Sequence, residues 1–187
     1  MRIARWKLWG LAGAIDAGLL LAAAGWAYGR GEPGWTTRVA WAWAGVAWGV
    51  AGAVGMGIAN VGWYLFTEGL RWPGPRQWIS EWFRPLFGGL SWPELLLLSA
   101  GAGWAEEAFF RGVVQADLGW IPASLLFGLL HTGHREMIPF GLWAAAMGLF
   151  LGGLYLFTGN LLAPMVAHGL YDFGALCYIR YGVRDPD

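Results

Sequence analysis

Ionisable residues in the C-terminal half of this sequence gather at three places, each set among apolar neighbours. The first is Trp104-Ala-Glu106-Glu107-Ala-Phe-Phe-Arg111-Gly, the second Phe127-Gly-Leu-Leu-His131-Thr-Gly-His134, and the third His168-Gly-Leu-Tyr-Asp172. A carboxylate can take a proton from water, an imidazole can hold that water, and a second imidazole can donate to a developing oxyanion. Those are the groups that hydrolysis by activated water needs. The same types have two other uses. A Glu and two His can hold zinc with a fourth position open for water, and a carboxylate with histidines can relay protons.

Helical spacing sorts these residues into partners. Glu107 and Arg111 are i and i+4, in the order that favours an ion pair on one face. Glu106 lies about 100° further round the helix, points elsewhere and has no local partner. His168 and Asp172 are again i and i+4 and can face one cavity. Glu107–Arg111 thus reads as a packing pair, while Glu106 is left available for chemistry. His134, followed directly by Arg135 and Glu136, reads as interfacial. Asp16 and Asn60, in the apolar N-terminal half, are either packing hydrogen-bond groups or cavity-lining groups. Burying Glu106, His131 and His168 on three separate helices is costly unless they serve a purpose.

The elements that must carry these residues are membrane helices. Over half the residues are apolar (57%) and only 13% are charged, too few to cover a soluble domain of 187 residues. The 15 Trp suit the lipid–water boundary, and the 31 Gly suit close helix packing. Gly25/Gly29, Gly45/Gly49 and Gly148/Gly152 have the small-xxx-small spacing of such contacts. The fold class is all-α, a polytopic transmembrane helix bundle. Six stretches have the length a bilayer requires: near 8–28, 38–66, 92–116, 118–133, 137–157 and 160–180. The first follows a basic N-terminus but is too long for a typical signal peptide and reads as a retained helix. The stretch from Thr67 to Trp92 alternates Trp72, Trp78, Trp82 and Phe83 with Arg71, Arg76 and Arg84, and suits a segment lying in the interface. Arg2, Arg5, Lys7, Arg71, Arg76, Arg84, Arg135, Arg180 and Arg184 fall on one side of such a bundle, Arg30 and Arg38 on the other. The basic side is expected to be cytoplasmic, with both termini on it. Rise per residue places Glu106 and His168 toward the middle but His131 nearer the cytoplasmic face, unless the fourth helix is short or tilted. Cys177 is alone, which excludes an intrachain disulfide and a multi-cysteine metal site. Balanced charge gives no argument for nucleic acid.

The order Glu106-Glu107-x-x-x-Arg111, Phe127-x-x-x-His131, His168-x-x-x-Asp172 resembles the three motifs of the CPBP family of membrane proteins, which contains CAAX prenyl endopeptidases and bacteriocin-processing or Abi-type members. Asn160-Leu-Leu-Ala-Pro-Met-Val-Ala-His168 is similar to that family's approach to its last motif. The resemblance covers about half the chain, from Trp92 to Tyr181, and suggests a division into 1–91, two helices with the interfacial loop, and 92–181, a four-helix catalytic core.

The resemblance implies an intramembrane endopeptidase in which Glu106 and His131 activate water and His168 donates to the oxyanion. Glu107, Arg111 and Phe127 hold the structure around them. Asp172 stands where the family often has Asn. An ionised Asp cannot donate a hydrogen bond, so Asp172 is either protonated or an acceptor that orients His168. No cofactor is implied; the alternative is zinc on Glu106, His131 and His168, although H-E-x-x-H is absent. The expected partners are a membrane-associated peptide or protein substrate and the lipid bilayer, and the expected place is a prokaryotic cell membrane. Two other classes fit less of the sequence. A non-catalytic immunity or scaffold protein has no physical need of Glu106 and His131, and a proton-coupled transporter calls for an inverted repeat that is not found.

Overall fold

The computed structural model describes residues 4–69, 79–133 and 135–182, and these form helices and turns with no strand. Arg71, Trp72, Arg76, Trp78, His134, Arg2 and Arg184 lie outside the described residues. Helix α1 spans Arg5–Arg30 and ends at Gly31, whose positive φ (66°) makes the left-handed turn that closes many helices. A 3₁₀ turn, Trp35–Arg38, leads to α2, Trp43–Gly69. A π turn, Ile79–Phe83, runs into the short α3, Arg84–Phe87.

Helix α4, Trp92–Phe109, opens on a capping box, in which Ser91 and Glu94 satisfy each other's end of the chain, with Pro93 in the first turn. It continues through a π turn, Phe110–Val114, into α5, Gln115–Leu118. The chain then reverses at Gly119, where φ is 89°, into α6, Trp120–Thr132. Helix α7 spans Ile138–Thr158, and α8 spans Leu162–Cys177 with a final π turn, Tyr178–Gly182.

Helix α8 lies between α2 and α4; α1 covers the other side of α4, and α6 pairs with α7. Three stretches, Arg5–Arg30, Trp43–Thr67 and Arg135–Thr158, are long and apolar enough to cross a bilayer. Their outer faces carry Leu11, Leu21, Val54, Ile58, Leu142 and Leu156 exposed. Exposed apolar faces on a helical bundle are what lipid contact demands. This is a helical membrane bundle, as the composition implies.

Glycine decides where helices meet. A Cβ on Gly103 would lie 2.7 Å from the backbone nitrogen of Gly169, so α4 and α8 touch backbone to backbone. Gly45 and Gly49 admit α8, while Gly148 and Gly152 admit Ser124, Trp120 and Gln115. The spacing of Gly25/Gly29 marks no contact among the described residues: nothing lies within 4 Å of a Cβ placed on either.

The two ends of the bundle are tied differently. At one end Arg5 donates to the Gly89 carbonyl and Arg180 to that of Leu90. At the other, Trp26 and Arg30 both bind Asp117, and Leu161 N–H donates to the Arg38 carbonyl. Arg5 and Arg180 therefore share one end and Arg30 and Arg38 the other, in keeping with the charge asymmetry.

Candidate active site

Helix α4 supplies two adjacent carboxylates that face different ways. Glu107 is fully buried, and its Oε1 accepts from Arg111 Nη1 at 2.9 Å and from His168 Nδ1 at 2.8 Å. Arg111, also buried, donates its other arm to the Gly148 carbonyl at 3.0 Å and lies over the Phe127 ring at 4.7 Å. One residue pair thus joins α4, α6, α7 and α8. The π turn after Phe109 adds a residue to the helix where Arg111 reaches across, a common device at functional sites. Gln115, one turn on, repeats the reach to the Gly152 carbonyl at 3.1 Å.

The i, i+4 pair read from the sequence is therefore present, but Glu107 is more than a packing partner. Its bond to His168 spans 61 positions, so no local spacing could have pointed to it.

Glu106 turns toward α6, and its Oε2 lies 3.7 Å from His131 Nε2. This oxygen is buried and accepts no hydrogen bond from the described residues. His131 Nδ1 lies 2.7 Å from the Phe127 carbonyl, which can only accept. Nδ1 therefore carries the proton, and in the neutral ring Nε2 offers its lone pair toward Glu106. The Phe127 ring packs against both imidazoles, with centroids 4.3 Å from His131 and 5.8 Å from His168. Helix α6 has only 13 residues, about 20 Å by its rise, well short of a bilayer core. A short fourth helix is what lets His131 reach the level of Glu106.

His168 is held from both sides, with Nδ1 on Glu107 and Nε2 3.4 Å from Asp172 Oδ2. His131, His168 and Asp172 line a cavity of about 360 Å³, as do Phe83 and Phe87 from the segment between α2 and α4. Asp16 of α1 lines it too, and Asn60 of α2 lines a neighbouring cavity of about 510 Å³. Both had been open between packing and lining a cavity. Sequence reasoning did not see the two phenylalanines as part of the site. Their only signal was the alternation of aromatic and basic residues in that segment.

Among the described residues no three His, Cys, Asp or Glu side chains are arranged to hold a metal ion. Glu106 lies beside His131, and His131 and His168 line one cavity.

The bundle and its buried carboxylate–imidazole cluster define a helical membrane protein with a polar site enclosed in it. Residues 88–174, which contain every one of these motif residues, match the family model described as Rce1-like, type II CAAX prenyl endopeptidase. The chain is also similar to YpbD of Bacillus subtilis (strain 168), an uncharacterized protein, at 36% identity over 98 residues, 52% of each chain. The matched stretch is thus about half the length of that curated relative. No solved structure matches the chain.

Proposed function

We propose that the protein is an intramembrane endopeptidase that cleaves a membrane-associated peptide or protein with water activated by Glu106 and His131. The observation that carries this reading is the approach of Glu106 Oε2, buried and accepting no hydrogen bond from the described residues, to His131 Nε2 at 3.7 Å. One water bonded to both would lose a proton to the carboxylate as its oxygen attacks the peptide carbonyl. His168, oriented through Nδ1 by Glu107, offers Nε2–H to the oxyanion when it carries both ring protons. Asp172 holds that nitrogen in the resting site as an acceptor. Glu106 then returns its proton to the departing amine, the new acid and amine leave, and the site is restored.

In this scheme residues 92–181 are the catalytic core, and 1–91 frame it. Six stretches pass through the membrane, the short α6 where the bilayer thins locally to match it, with both termini in the cytoplasm of a prokaryotic cell. No metal takes part.

Purified protein in liposomes with a library of apolar peptides tests the scheme. Glu106→Gln and His131→Ala should each abolish cleavage with unfolding temperature little changed. Full turnover by either variant removes that residue from its role. Activity that survives exhaustive chelation supports the metal-free route, whereas loss restored by zinc overturns it.

A further inference from the structure

We infer that Asp16 is a specificity residue, binding a cationic side chain of the substrate about two positions from the bond that is cut. Asp16 comes from α1, outside the region that matches the family, yet its side chain lines the same cavity as His131, His168 and Asp172. A Cβ on Gly101 would lie 2.6 Å from Asp16 Oδ2, so the carboxylate occupies room that only glycine leaves on α4. Among the described residues Asp16 makes no hydrogen bond or ion pair. Carboxylates in a membrane helix are costly and normally face a partner or a polar path. Among the described residues no such partner is at hand: two carboxylates and two imidazoles line the cavity, but neither Lys nor Arg does. A cavity of that sign recruits a cation.

Geometry sets the register. Leu98 and Ala102 line the cavity, and Glu106 continues their row one turn further along α4. Gly101, where the Asp16 carboxylate rests, precedes Glu106 by about 7.5 Å of helix rise. An extended peptide advances about 3.3 Å per residue, so two residues separate the groups that meet Asp16 and Glu106.

The inference rests on the endopeptidase reading for the cleavage site, but binding tests it separately. The probes are apolar peptides in nanodiscs in which a single Lys, or a neutral Gln, is stepped along the chain. For the inactive Glu106→Gln protein, a Lys peptide in the favoured register should bind about tenfold tighter than its Gln counterpart. Adding Asp16→Asn should erase that preference and leave Gln peptides unaffected, while Asp16→Glu should keep it. In the active protein the same Lys should lie two residues from the cut and raise KM, with kcat little changed, when Asp16 becomes Asn. Equal binding of Lys and Gln peptides overturns the inference, as does an equal loss of both on Asp16→Asn, which would mark a structural role. A Lys preference without any cleavage leaves Asp16 as assigned and removes the endopeptidase reading instead.

Discussion

At the scale of single residues, Glu107 is the hinge between structure and chemistry. Its one oxygen neutralises Arg111 and aims His168, both buried beside it. Glu107→Gln leaves a buried guanidinium without its counter-ion, which costs about 3–5 kcal/mol. Thermal unfolding in detergent should show that loss, and cleavage should fall with it. Adding Arg111→Met removes the orphaned charge, so the double variant should recover much of the stability but not the activity, because His168 has lost the carboxylate charge that supports its doubly protonated form. A double variant no more stable than the single one would show that the pair does not work this way. Phe127→Ala removes a ring that touches Arg111, His131 and His168 and should cost about 3 kcal/mol or more, with Phe127→Leu much milder.

At the scale of elements, the site depends on how closely α4 and α8 approach. Gly103 meets backbone, and backbone cannot move aside as a side chain can. Gly103→Ala should cost about 1–3 kcal/mol by overpacking and should lower turnover by pushing His168 from Glu107. Gly57→Ala, where nothing lies within 4 Å, is the control and should change neither. The helices were legible in the sequence because apolar runs of bilayer length are hard to mistake, and Pro93 suits the first turn where the structure has it. The π turn at Phe110–Val114 was not, since an extra residue within an apolar helix leaves no trace in composition. Nor was the partner of Gly25/Gly29 missing in any readable way: spacing marks glycines that could meet a helix, and only packing decides whether one is there. Glu106, His131 and His168 were legible as a set because each breaks an apolar run. The second duty of Glu107 was hidden, since it comes from a helix distant in sequence.

For the whole molecule, the ends of the bundle carry the order of assembly. Asn160 pins the strap after the 3₁₀ turn: its Oδ1 accepts from Ala40 N–H at 2.9 Å, and its Nδ2 donates to the Ala40 carbonyl at 2.8 Å. The same Oδ1 accepts from Leu162 N–H at 3.0 Å, fixing the start of α8. Asn160→Ala should therefore cost about 2 kcal/mol through three lost bonds, read by unfolding temperature, and loosen His168 two turns below. Sidedness gives a separate prediction. Reporter domains active only in the cytoplasm should function when fused at either terminus, and a silent C-terminal fusion would contradict the six-span arrangement.

Because α8 follows the other helices of the bundle along the chain and wedges between α2 and α4, the cluster around Glu107 stays incomplete until residues 162–177 have been made. A partly translated chain holds Glu106 and His131 but not His168, so on the proposed chemistry it has no donor for the oxyanion. Biogenesis thereby acts as a safety catch. On that chemistry, neighbouring nascent proteins in the insertion machinery are spared until α8 is in place.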